Sequence, residues 1–231
     1  AITAVGLLLG YWIALMWVPV PGHGAGVLTP EANLAAYIDR LLLPGRMWQG
    51  TWDPEGILST IPAVSTALFG VLAGHGLRSG KDRRVIAAGM LMVGLAMIAA
   101  GLLLDKWFPI NKNLWTSSFV LFTAGAAQVG LAICYWLCDV QGYRKWFYPA
   151  IVFGVNPITV YVLSGMLGDI LSVWRVGSGD QGMSVQQWIL ANAFLPWASS
   201  MNASLAYAIC FLLFWFIIMS LFYRFRIFIK L

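Results

Sequence analysis

VIAAGMLMVGLAMIAAGLLL, residues 85–104, is an apolar run without a charge, bounded by Arg83-Arg84 before it and Asp105-Lys106 after it. At about 1.5 Å per residue a helix over this run reaches roughly 30 Å, the thickness of a bilayer's hydrocarbon core. Five more segments have similar character: residues 1–18, 56–77, 114–138, 147–174 and 204–223. Six spans predict an all-α polytopic membrane protein, with 1–231 forming one transmembrane domain. Composition agrees: 60% of the 231 residues are hydrophobic and 10% are charged, whereas soluble chains carry about a quarter charged residues. A soluble globular domain, disorder, collagen-like repeats and a nucleic-acid-binding domain are excluded. The first run has no basic residues before it and ends at Pro19-Val20-Pro21-Gly22, so it reads as a span rather than a signal peptide. Its abrupt apolar start predicts a piece of a longer polypeptide.

Charge position gives the topology. Arg78, Lys81, Arg83, Arg84, Arg144, Lys145, Arg224, Arg226 and Lys230 fall on one side of the six spans. Arg40, Arg46, Lys106, Lys112 and Arg175 fall on the other, with Glu31, Asp39, Asp53, Glu55, Asp105, Asp169 and Asp180. The positive-inside rule makes the first side cytoplasmic, with both ends of the chain there. The outer side carries the longer loops. Thr29-Pro30-Glu31 predicts the start of a short amphipathic helix with Leu34, Ile38, Leu41 and Leu42 on one face. Residues 184–195 predict a second, with Val185, Trp188 and Ile189 toward apolar surroundings. Most tryptophans near the proposed interfaces fit an aromatic belt.

Thr51-Trp52-Asp53-Pro54-Glu55-Gly56 lies at the outer mouth of the second span. Asp53 suits a helix cap and Pro54 a first helical position. Glu55, Ser59, Pro62 and Thr66, continued by Gly70 and Gly74, predict one small and polar helix face. Such a face turns from lipid toward protein or a cavity, and Glu55 there must be paired or wet. Gly70 and Gly74 would also admit a neighbouring helix. On the same side, Asn111, Lys112, Asn113 and Trp115 bring amides, an ammonium and an indole within five residues. This set suits a hydroxyl-rich ligand, with Lys112 alternatively an ion-pair partner of Asp53 or Glu55. Asn156-Pro157 predicts a bend in the fifth span, and Ser118, Gly125 and Gln128 a polar line on the fourth. These read either as helix glue or as a polar path across the membrane. The cluster Arg78, Lys81, Arg83 and Arg84 marks the inner side and also suits the phosphates of a nucleotide or coenzyme A. His23 and His75 fall on opposite sides, so no metal site is expected. Cys134, Cys138 and Cys210, all within spans, read as packing residues.

Taken in order, Val18-Pro19-Val20-Pro21-Gly22, Ala36-Tyr37-Ile38-Asp39-Arg40-Leu41-Leu42-Leu43, Asp53-Pro54-Glu55-Gly56-Ile57-Leu58, Asn111-Lys112-Asn113-Leu114-Trp115, Asp139-Val140 with Gly142, and Asn156 with Val160-Tyr161-Val162 resemble the C-terminal part of the heparan-alpha-glucosaminide N-acetyltransferase family. The resemblance implies transfer of acetyl from cytoplasmic acetyl-CoA to a glucosamine-type amine on the periplasmic or lumenal side, in a bacterial inner-membrane relative. Acetyl transfer to an amine needs a base, and Glu55 or Asp53 is the group expected to orient or deprotonate the amine. Asn111 and Asn113 would position the sugar or polarise the acetyl carbonyl, with Lys112, Trp115, Ser59, Asn156 and Gln128 also toward substrate. Arg78, Lys81, Arg83 and Arg84 would face acetyl-CoA. The expected partners are the lipid bilayer, the amino sugar and an N-terminal transmembrane part, with a homo-oligomer open. The family's proposed catalytic His precedes the region matching this chain, and His23 does not correspond to it. An inner-membrane transporter of N-acetylglucosamine or a related amino sugar is the competing reading, and a non-catalytic scaffold the third.

Overall fold

A computed structural model describes residues 1–177 and 182–229; Asp180 and Lys230, assigned above to the outer and inner sides, lie outside the described residues. The chain forms two compact units, Ala1–Gly142 and Tyr143–Leu231.

In the first unit, α1 (Ile2–Trp17), α2 (Leu34–Leu42), α3 (Thr60–Leu77), α4 (Arg83–Leu104) and α5 (Ser117–Tyr135) are followed by a π-helical turn, Trp136–Val140. The α3 and α4 helices, and α5 with its π turn, are long and apolar enough to cross a membrane, whereas α1 has 16 residues. The α4–α5 contact is the most extensive among the described residues. A Cβ on Gly101 would lie 2.7 Å from the Phe122 nitrogen, and one on Gly125 2.7 Å from the Gly94 carbonyl oxygen. These glycines let the two backbones touch. Gly70 and Gly74, expected to do this, face open space: a Cβ added at either would meet no atom within 4 Å.

The α1 helix is fixed by hydrogen bonds. Ser65 Oγ donates to the Ala4 carbonyl (3.1 Å), Ser117 Oγ to the Leu8 carbonyl (2.8 Å) and Tyr11 Oη to the Leu114 carbonyl (2.5 Å). Around Tyr11, the residues Leu15, Val20, Leu34, Ala35 and Phe108 make a buried apolar cluster.

Two helix starts differ from the sequence expectation. Asn33, not Thr29, caps α2: its Oδ1 accepts from Ala36 N, while its Nδ2 donates to the Thr29 and Pro30 carbonyls. The buried face of α2 is Leu34, Ala35, Ala36 and Asp39, with Leu41 and Leu42 exposed. The α3 helix begins at Thr60 rather than after Asp53-Pro54. Asp53 instead closes a turn of its own, and Glu55 and Ser59 lie before the helix. The helical stripe is therefore Pro62, Thr66, Gly70 and Gly74.

The second unit contains α6 (Tyr148–Gly154), α7 (Pro157–Val173), a two-stranded antiparallel sheet of β1 (Arg175–Val176) and β2 (Met183–Ser184), α8 (Val185–Ile189), a π-helical turn (Leu190–Phe194) and α9 (Ser200–Arg224). Ser184 and Gln187 form a capping box at α8. The fifth span is broken rather than bent: α6 and α7 meet at 83°. Pro157 starts α7, where its missing N–H is harmless, and Asn156 leaves helical geometry just before it. Val152, Trp215 and Met219 form the core of this unit. The described residues thus hold four helices able to cross a membrane, or five if α6 and α7 count as one broken span. The protein is an all-α polytopic membrane protein.

Candidate active site

Two loops of the first unit carry most of the expected site residues. In the loop before α3, Asp53 is taken up by backbone donors: Oδ1 accepts from Glu55 N (2.8 Å) and Oδ2 from Trp48 N (3.0 Å). Glu55 follows on the exposed side of this turn. Ser59 is buried, donating to the Gly56 carbonyl (2.9 Å). Arg40 on α2 braces the loop from outside by donating to the Glu31 and Thr51 carbonyls.

The same loop rests on a residue outside the expected set. Asp39 on α2 is fully buried, and its Oδ1 accepts from Ile57 N at 2.9 Å. Oδ2 has no hydrogen-bond partner among the described residues and lies against Gly56, where a Cβ would come within 1.9 Å of it. Burial pushes the Asp39 carboxyl above the usual carboxylate range. The Ile57 N–H opposes this, the nearby Asp53 charge adds to it, and Arg40 opposes it. The signal available in the sequence is position: Asp39 falls on the buried face of a helix that the sequence pattern starts too early.

In the second loop, Asn111 Oδ1 accepts from Asn113 N (2.9 Å) and Leu114 N (3.3 Å), and Thr116 Oγ1 donates to the Pro109 carbonyl (2.9 Å). Lys112 and Asn113 are exposed at the tip. Trp115 stands at φ +50°, a left-handed conformation that costs a non-glycine residue about 1 kcal/mol or more. Its Nε1 donates to Thr66 Oγ1 on α3 (3.2 Å), and its ring meets Phe119 edge-on at 5.2 Å.

From Thr66 inward, two cavities follow α3. One of about 150 Å³ lies between α3 and α5, lined by Thr66, Gly70, Ala124 and Gln128 among others. The other, about 510 Å³, reaches from Gln128 past Met90 to Ser79 and Lys81. They share Phe69, Ala73 and Gln128. Gln128 is thus brought to the α3 stripe, whereas Gly125 belongs to the α4–α5 contact. At the far end, Lys81 lines the cavity and Arg83 Nη1 donates to the Asp139 carbonyl (2.9 Å). Arg78 and Arg84 are exposed, and Asp82 caps α4 by accepting from Arg84 N. Asn156 sits in the second unit, fully buried, and both ends of its amide are engaged: Nδ2 donates to the Ile227 carbonyl (2.9 Å) and Oδ1 accepts from Ile229 N (2.8 Å). Among the described residues, no group of three or more His, Cys, Asp or Glu side chains gathers as a metal site would require.

No family model matches the chain. It is 34% identical to heparan-alpha-glucosaminide N-acetyltransferase of Mus musculus over 189 residues, 65% of this chain, and 33% identical to that of Homo sapiens over 194 residues, 68% of this chain. The chain spans 28% of the length of each. By sequence, the chain is a relative of the heparan-alpha-glucosaminide N-acetyltransferases and corresponds to a portion of them.

Proposed function

We propose that this chain carries the acceptor mouth and part of the donor path of a transmembrane acetyltransferase. Acetyl passes from cytoplasmic acetyl-CoA to the amine of a glucosamine-type sugar on the periplasmic or lumenal side. The observation that supports this most is the pair of cavities along α3, sharing Phe69, Ala73 and Gln128 between the Thr66–Trp115 end and the Ser79–Lys81 end. From Thr66 to Leu77 the helical rise alone is about 16 Å. Two mostly apolar, half-open grooves that meet at an amide, one of them reaching a cation, suit a slender thioester-bearing arm with a phosphate at one end. Arg78, Lys81 and Arg84 take the phosphates in this reading. Trp115 offers the sugar a stacking face, with Asn113 and Lys112 beside it.

Glu55 accepts a proton from the sugar ammonium, and the freed amine lone pair attacks the thioester carbonyl carbon. The C–N bond forms and the C–S bond breaks; the nitrogen, cationic once bonded to carbon, gives up a second proton, and the departing thiolate takes it up. An amide of the mouth, that of Asn113, steadies the carbonyl oxygen as it gains charge.

The full-length protein, labelled acetyl-CoA and glucosamine test the reading. Label should appear on the sugar, and Glu55→Gln should lower turnover about 100-fold or more without lowering Tm. Unchanged turnover would remove Glu55 from the mechanism. Sealed vesicles that accumulate unmodified sugar without acetylation would replace the reading by transport.

A further inference from the structure

Asp39 is the only carboxylate or basic side chain among the buried polar residues described. A buried carboxylate with one hydrogen bond and one bare oxygen is costly. Holding the Ile57 N–H alone does not require it, since an Asn at this position offers the same acceptor without a charge. What a carboxylate adds is a charge-assisted bond, roughly twice as strong as a neutral one. That bond ends on the backbone two residues beyond Glu55. With Gly56 closed on the other oxygen, the loop has little room to shift.

A second loop is anchored close by. Tyr11 lies within electrostatic reach of Asp39, and its hydroxyl holds the Leu114 carbonyl next to Trp115. Both mouth loops therefore hang from one buried patch where α1 meets α2. The charged groups acting on Asp39 are Arg40 on its own helix and Asp53 in the loop, and Asp39 in turn acts on Tyr11 of α1.

We propose that Asp39 is a positioning residue for acetyl transfer: its buried carboxylate fixes the Gly56–Ile57 backbone and thereby sets Glu55 at the mouth, against the loop that Tyr11 holds. This rests on the assignment of Glu55 above. Asp39 touches neither sugar nor thioester and acts through the loop alone. As pH falls through its raised titration range, the bond to Ile57 N–H loses its charge and Glu55 loses its setting. Acetyl transfer then falls with it.

The test compares Asp39→Asn and Asp39→Ala in the full-length protein in detergent, with acetyl-CoA and glucosamine. Asp39→Asn should keep the wild-type Tm at pH 7 or exceed it. Its kcat should fall on the order of tenfold, as expected for a misplaced catalytic group, with KM for acetyl-CoA unchanged. The part of the acid limb due to Asp39 should vanish from its pH profile. Amide exchange at residues 56–57 should quicken while α4 and α5 stay protected. Wild-type kcat in Asp39→Asn overturns the proposal, with or without faster exchange, and so does a Tm lowered as far as in Asp39→Ala. Glu55→Gln separates the two ideas. If it is fully active while Asp39→Asn still loosens 56–57 and slows turnover, the base assignment fails and the positioning role stands.

Discussion

Gly94 and Gly125 face each other across the α4–α5 contact: a Cβ on Gly94 would lie 2.9 Å from the Gly125 carbonyl oxygen, and one on Gly125 2.7 Å from the Gly94 carbonyl oxygen. Both obstacles are backbone, which cannot swing aside. Gly125→Val should separate the two helices and cost about 1–3 kcal/mol or more. Gly70→Val, with open space at its Cβ, should leave the thermal midpoint nearly unchanged. Thermal unfolding in one detergent compares the two directly, and equal losses would mean that Gly70 is packed in the full protein.

Gly56 meets a side chain rather than backbone. Gly56→Ala puts a methyl where Asp39 Oδ2 lies, at a cost of about 1–3 kcal/mol. Shortening the obstacle by Asp39→Ala should relieve part of it. A double-mutant cycle read from unfolding midpoints should give a non-zero coupling between the two positions, whereas additive losses would show that the clash is absorbed elsewhere.

The pH dependence of stability has a definite sign. Asp39's folded-state titration is raised above its ordinary value, so the folded state binds this proton more readily than the unfolded state. Its contribution is most favourable below the ordinary carboxylate range and is lost as pH rises through the raised range. Asp39→Asn should remove this slope and gain most over wild type at neutral pH. Unfolding midpoints measured from pH 4 to 8 check it, and parallel curves for the two proteins would refute it.

Asn156 clamps the segment after α9 through both ends of its amide. Asn156→Asp keeps the acceptor for Ile229 N and loses the donor to the Ile227 carbonyl; Asn156→Ala loses both. Both should be destabilised, by about 1–3 kcal/mol for each buried group left unpaired, and Asn156→Asp also sets a carboxylate against the Ile227 carbonyl oxygen. Hydrogen exchange over residues 225–229 should rise in both variants with α4 and α5 unaffected.

Much of the architecture is legible because long uncharged runs have few other solutions than helices across a bilayer. Residues 85–104 and the helix Arg83–Leu104 differ by a fraction of a turn at one end. What is not legible comes from competition among short polar side chains. Thr29 and Asn33 both suit a cap, and the choice goes to Asn33 because its amide also ties back to Thr29 and Pro30. Asp53 suits a cap for α3, yet two amides of its own loop hold it first. At the candidate site, Trp115 and Thr66 belong to separate loop and helix patterns, and only the fold joins them. Asp39 is visible in the sequence as an outer acid, but its burial depends on which face of α2 turns inward. The glycines that matter, Gly94, Gly101 and Gly125, lack the four-residue spacing that marks Gly70 and Gly74.

The serines that grip α1 take hold of main-chain carbonyls at Ala4 and Leu8, one helical turn apart. A carbonyl is the same on every residue, so neither serine can tell one turn from the next. Sliding α1 by one turn, about 5.4 Å, would offer the serines an equivalent pair of acceptors. Tyr11 breaks this degeneracy, since its hydroxyl meets the Leu114 carbonyl in one axial setting. The phenol is thus the polar mark of this helix's depth, acting beside the packing of Ala4 and Leu15, and removing its oxygen would leave that depth to side-chain fit alone.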